Sequence, residues 1–114
     1  MTPSNLFENV PEGLPEEFFQ EILNRSCGHI KIERIVSRGH HSPEGFWYDQ
    51  AWDEWVLVVR GRAGLEFEGR AGVVELGPGD HLLIEAHYRH RVAWSDESRD
   101  TVWLAVHIQS PSDL

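Results

Sequence analysis

Acids at the threshold of an apolar run are the residues from which chemistry is most readable here. In "YDQAWDEWVLVVRG", residues 48–61, Asp49, Gln50, Asp53 and Glu54 lead into five apolar residues, Trp55 to Val59. A carboxylate carried into an apolar interior is costly unless something pairs with it. Side chains two apart on a strand share a face. If Glu54 points inward, Val56 and Val58 follow, while Trp55, Leu57 and Val59 face the other way. In "HRVAW", residues 90–94, His90 shares its face with Val92 and Trp94. Glu54 and His90 both fit apolar inner faces, where oxygen and nitrogen donors build a site for a divalent ion. Such an ion would offset the buried acid.

Other candidates carry bland alternatives beside the functional reading. His90 is either a metal ligand or a buried neutral imidazole bonded to a carbonyl. Glu54 either ligates or accepts hydrogen bonds from neighbours. Asp49 also suits Mn, Fe, Ni and Zn, although a solvated loop acid is the more ordinary reading. His87 forms His-x-x-His with His90, but on a turn leading into a strand the two need not converge, and an outer position is favoured. The aromatic set Phe46, Trp47, Tyr48, Trp52 and Trp55 either shapes an apolar pocket or packs at an interface. The expected pocket lining is Trp47, Tyr48, Gln50, Val56, Trp94 and His107. His107 shares a face with Trp103 and Ala105, inward or outward. His40 and His41 read as loop residues able to close over a mouth, and His81 as exposed. No Gly-x-Ser-x-Gly, P-loop or dinucleotide fingerprint is present.

Strands must position these groups. "HIKIERIV", "WVLVV", "GLEFE", "VVEL", "HLLIE", "HRVAW" and "TVWLAVHI" are short, apolar or alternating, and bounded by turns such as "GRAG" (69–72) and "GPGD" (77–80). Regular spacing of this kind predicts an all-β sandwich or barrel. Before them, "LPEEFFQEILNR" predicts a short helix. Pro15 suits its first position, Glu16 and Glu17 its positive end, and Phe18, Phe19, Ile22 and Leu23 its apolar face. Cys27-Gly28 supplies a stop. The expected layout is an arm and helix over 1–28, a barrel over 29–108 and a frayed tail over 109–114, in one domain.

The 114 residues carry 10 basic and 19 acidic side chains, a formal charge of −9. That balance argues against nucleic acid and anionic membranes, and favours a cation or a neutral small molecule as ligand. The lone cysteine, Cys27, excludes an intrachain disulfide and reads as a small buried residue. The start lacks the basic-then-apolar order of a secretory signal, so a cytoplasmic location is the default expectation.

The two segments "DQAWDEWVLVVRG" and "GPGDHLLIEAHYRHRV" resemble the paired signatures of the cupin superfamily, small double-stranded β-helix (jelly-roll) barrels. Glu54 and Gly61 keep the Glu-to-Gly spacing of the first signature. Pro78, Gly79, Asp80 and His90 keep the turn and histidine of the second. Where the first signature has two histidines, this chain offers Trp47 or Tyr48 and then Asp49 or Gln50. Glu85 stands where the second signature commonly has proline. The resemblance implies a metal set of His90, Glu54 and Asp49, with His87 or Gln50 assisting, around Zn, Mn, Fe or Ni. It also implies a homodimer. Members include dioxygenases, isomerases, epimerases, lyases and decarboxylases, so no reaction is named. A metal-dependent protein acting on a small molecule stands first, a non-catalytic binding or sensing module second, and a barrel filled by its own side chains third.

Overall fold

A computed structural model describes residues 6–25 and 29–109. Eight strands form in chain order: β1 (Phe18–Arg25), β2 (Ile30–Ser37), β3 (Asp53–Arg60), β4 (Ala63–Phe67), β5 (Val73–Leu76), β6 (His81–Ile84), β7 (His90–Ser95) and β8 (Thr101–Ile108). One sheet runs β1-β2-β8-β3-β6 and the other β5-β4-β7, with antiparallel pairing throughout. Strands β2 to β8 sit on the seven segments whose alternation and bounding turns marked them. The expected stop at Cys27-Gly28, the burial of Cys27, and the tail from residue 110 lie outside the described residues.

The expected helix over "LPEEFFQEILNR" is a strand instead. Phe18 to Arg25 pair with Val36 to Ile30 of β2, covering what would otherwise be its open edge. Glu21 pairs with Glu33 and Leu23 with Ile32, so Ile22 is an extra residue in a bulge. A bulge breaks the two-residue alternation, and the resulting apolar spacing imitates a helical face.

Inward residues of both sheets interlock as the core. Ile35, Val56, Val58, Ala63, Leu65, Phe67, Leu76, Ile84, Trp103 and Ala105 are all buried, and the β3 parity is the one expected from Glu54. Trp103 donates its indole N–H to Ser37 Oγ at 3.1 Å.

Two further bulges re-aim side chains. On β3, Val58 pairs with Trp103 but Arg60 with Val102, leaving Val59 extra just before Gly61. Gly61 has φ of 87°, and a Cβ there would lie 2.6 Å from the Thr101 Cα. On β7, Val92 pairs with Leu65 and Trp94 with Gly64, leaving Ala93 extra. That insertion reverses the parity expected for Trp94. Its indole lies over Gly64 on the outer surface, 37% exposed, and does not line the interior.

Two arginines strap the N-terminal arm to the sheet. Arg34 Nη1 donates to the carbonyls of Leu6 and Glu8 at 2.8 and 2.7 Å. Arg38 grips Asp100 at 2.6 and 3.0 Å and donates to the Glu12 carbonyl at 2.6 Å. The chain enters β1 from this arm, and Glu17 stands at the junction.

Gly61 should tolerate no side chain, because left-handed backbone and a close neighbour act together. Gly61→Ala is expected to lower stability by about 2 kcal/mol or more in urea unfolding. A loss under about 0.5 kcal/mol would mean that the turn relaxes freely.

Candidate functional site

A cavity of about 320 Å³ lies between the two sheets. That is near the lower end of the roughly 300–1,000 Å³ usual for small-molecule sites. Strand β3 contributes Glu54 and Val56, β7 contributes His90 and Val92, and β8 contributes Trp103 and His107. Glu33 and Ile35 come from β2, while Tyr48, Gln50 and Trp52 come from the loop before β3.

Backbone pairing aims that loop. Tyr48 and His90 exchange both backbone hydrogen bonds, at 2.7 and 3.1 Å, and the His87 N–H donates to the Gln50 carbonyl at 2.6 Å. The Tyr48 ring then stacks on the His90 imidazole, centroids 5.5 Å apart and 26° between planes. Tyr48 and Gln50 turn inward together. Asp49, between them, turns outward, and so does Trp47, which is absent from the lining.

Glu54 and His90 meet at the heart of the cavity. Their side chains are 9% and 7% exposed, and Glu54 Oε1 stands 4.0 Å from His90 Nε2. Gln50 Nε2 donates to Glu54 Oε1 at 2.8 Å. The His90 Nδ1–H donates to the Tyr88 carbonyl at 2.8 Å, so the neutral ring keeps its lone pair on Nε2. Burial drives the His90 pKa down, against the raising effect of that carbonyl. Burial pushes the Glu54 carboxyl up to about 7, and repulsion from Glu33 and Glu17 adds to this while Lys31 opposes it. A neutral imidazole 4.0 Å away is an open acceptor, not an ion-pair partner.

A second imidazole–carboxyl pair shares the cavity. The Trp52 indole N–H donates to His107 Nδ1 at 2.8 Å. Indole is a donor only, so the His107 proton is on Nε2 and is donated to Glu33 Oε1 at 2.6 Å. Both ring nitrogens are therefore engaged, and burial again lowers the pKa of this histidine. Glu17 completes the acidic lining. It accepts from the Ser37 hydroxyl, and burial raises its pKa.

A model of the cupin domain matches residues 36–107. The chain belongs to the cupin family. Among solved structures, this cupin is similar to a protein of Ralstonia eutropha JMP134 described as a candidate mannose-6-phosphate isomerase. The two are 54% identical over 96% of this chain and 100% of that one, with a TM-score of 0.89. A cupin of Desulfovibrio desulfuricans shares the fold at 17% identity, with TM-score 0.73 and coverage of 95% and 96%. A cupin of Methanocaldococcus jannaschii with a double-stranded β-helix shares it at 15% identity, TM-score 0.67, and coverage of 90% and 89%. No curated protein matches the chain.

Several expected site residues fall elsewhere in the cupin barrel. Asp49 and His87 bond to each other at 2.8 Å on the outer surface, 46% and 69% exposed, and cannot join Glu54. The alternation that brings Tyr48 and Gln50 inward forces Asp49 out. His40 accepts the Arg38 N–H at 2.9 Å and contacts the Leu14 carbonyl at 2.9 Å, bracing the arm and not lining the cavity. His107 faces inward with Trp103 and Ala105. The lining acids that sequence reasoning missed are Glu17 and Glu33. Glu17 falls on the predicted helix terminus, and Glu33 sits in a strand whose isoleucines at 30 and 32 mark the opposite face. Parity with the buried Ile35 was the available signal for Glu33.

The raised Glu54 pKa has a definite sign for stability. Between 4.5 and about 7 the folded cupin holds a proton that the unfolded chain releases. The contribution is full below pH 4.5 and is lost as pH rises through about 7. Relative to wild type, Glu54→Gln should therefore gain stability between pH 5 and pH 8, by an amount of order 3 kcal/mol. Urea unfolding at both pH values checks this, and parallel pH profiles for the two proteins would refute it.

Proposed function

We propose that this cupin binds a small molecule in its barrel, with Glu54 and His90 as a pair able to exchange protons with it. The carrying observation is the 4.0 Å gap between Glu54 Oε1 and His90 Nε2. It is too long for a direct hydrogen bond and short enough for one ligand atom to touch both groups. A carboxyl near pKa 7 can donate or accept at neutral pH, while the unprotonated Nε2 accepts. Apolar walls from Val56, Leu65, Ile84 and Val92 surround that exchange.

The Ralstonia relative's name joins an isomerase to a phosphosugar. Proton transfer between neighbouring carbons, the chemistry of such an isomerase, suits the Glu54–His90 pair. A phosphate does not suit the cavity, because no Lys or Arg is among its described lining residues. The proposal therefore extends to a proton-transferring binding site and not to mannose 6-phosphate.

A resident divalent ion is a second reading with one observation behind it. Gln50 Oε1 is buried without a hydrogen-bond partner beside Glu54 and His90. Amide oxygen, carboxylate and imidazole would be its donors, with Tyr48 at the remaining position, and a bound ion would polarise a ligand oxygen. The donor set is weak. Tyr48 and Gln50 stand where the superfamily has imidazoles. Among the described residues no three His, Cys, Asp or Glu side chains gather to hold an ion.

Carbon-13 glutamate NMR tests the first reading. One carboxyl should titrate near pH 7 and vanish from the spectrum of Glu54→Gln, and its absence would remove the proton-transfer role. For the second reading, protein exposed to Zn²⁺, Mn²⁺, Fe²⁺ or Ni²⁺ and then gel-filtered should retain well under one ion per chain. Retention of one ion, abolished by Gln50→Ala and by His90→Ala, would reverse the order of the two readings.

A further inference from the structure

Among the described residues, most nitrogen-bound protons on the polar side chains of the cavity lining are already donated within the protein. The Gln50 amide gives to Glu54, Trp52 to His107, Trp103 to Ser37, His107 to Glu33 and His90 to the Tyr88 carbonyl. Among the described residues, the donors left toward a guest are the Tyr48 hydroxyl, the second Gln50 amide proton and the Glu54 carboxyl when it is protonated.

Acceptors are left in excess. The buried Gln50 Oε1 has no partner, and His90, 5% exposed, keeps the Nε2 lone pair open to the cavity. Glu17, Glu33 and Glu54 add three carboxyl groups, while no Lys or Arg appears among the described lining residues. Lys31 is the cation beside Glu33, at 3.7 Å, and its side chain is 38% exposed. The remaining walls are apolar and aromatic, with Phe19, Tyr48, Trp52 and Trp103 among them.

A guest that satisfies this lining brings several N–H donors, a positive charge and a short apolar body. We infer that the cavity binds a primary organic ammonium ion, its three N–H groups shared among Gln50 Oε1, His90 Nε2 and the carboxyls of Glu33 and Glu54. The aromatic rings favour a cation on their faces, in the same sense as the carboxyls. A neutral alcohol supplies one donor and no charge. A carboxylate or phosphate supplies neither, and meets three acids. This inference rests on the cavity being a binding site and names the class of molecule it takes.

The test uses chelator-treated protein and the probes n-butylammonium, n-butanol, butyrate and mannose 6-phosphate, followed by calorimetry and by tryptophan fluorescence from Trp52 and Trp103. Only n-butylammonium should saturate. Glu33→Gln keeps an acceptor for His107 but loses the charge, and Glu17→Gln removes a second charge. Each should weaken n-butylammonium binding about tenfold, the effect of roughly 1.4 kcal/mol. Unchanged affinity in the Glu17→Gln/Glu33→Gln double variant would overturn the inference, provided circular dichroism shows the native fold. Equal binding of n-butanol, or binding of mannose 6-phosphate alone, would overturn it as well. Failure here leaves the Glu54 carboxyl titration untouched, whereas a Glu54 that does not titrate near pH 7 would remove proton transfer without affecting ammonium binding.

Discussion

Desolvation of carboxyl groups is the constraint on which this barrel depends. Glu54 sits where a valine would pack without penalty, flanked on its own strand by Val56 and Val58. Its charge is disfavoured by burial and by two further acids facing the same space. The protein answers chiefly with hydrogen bonds, the Gln50 amide on Glu54, the Ser37 hydroxyl on Glu17 and the His107 imidazole on Glu33, with Lys31 beside Glu33 as a partial countercharge. A buried polar group that is hydrogen-bonded is tolerated, but the residual electrostatic cost remains in the site. That residual cost is what a complementary guest would relieve.

Precise aiming of these groups comes from irregular features of the sheets. The Tyr48–His90 bridge zips the loop before β3 onto β7 and sorts alternate residues to opposite sides of the wall. Tyr48 and Gln50 go in, and Trp47 and Asp49 go out. A single extra residue, Ala93, separates the inward His90 and Val92 from the outward Trp94. The arm held by Arg34 and Arg38 feeds β1, and Glu17 reaches the cavity from its start. Polar contacts on the outside of the barrel thus set the charge on the inside.

The same cavity shows how a family scaffold keeps its geometry while changing its chemistry. Glu54 and His90 retain the carboxylate and imidazole of the superfamily signatures, and His90 keeps the Nδ1–H to carbonyl bond that fixes its ring orientation. Phenol and amide side chains replace the other two positions. The outcome, among the described residues, is a lining with more open acceptors than donors on the family's barrel frame.

Sequence alone determined the strand segments β2 to β8, the cupin frame, the inward parity of Glu54 and the placement of His90. Each rests on local alternation or a fixed spacing between residues close in the chain. Tertiary structure decided the rest. Whether residues 18–25 coil or extend depended on the open edge of β2, and whether Asp49 or Gln50 faced inward depended on pairing with a strand some forty residues away. The direction of Trp94 turned on one unpaired residue, and the acids at 17 and 33 joined the site only because sheet closure brought them there. Periodicity reports which side chains share a face. It cannot report which face closes over the interior, because that is set by partners distant in sequence.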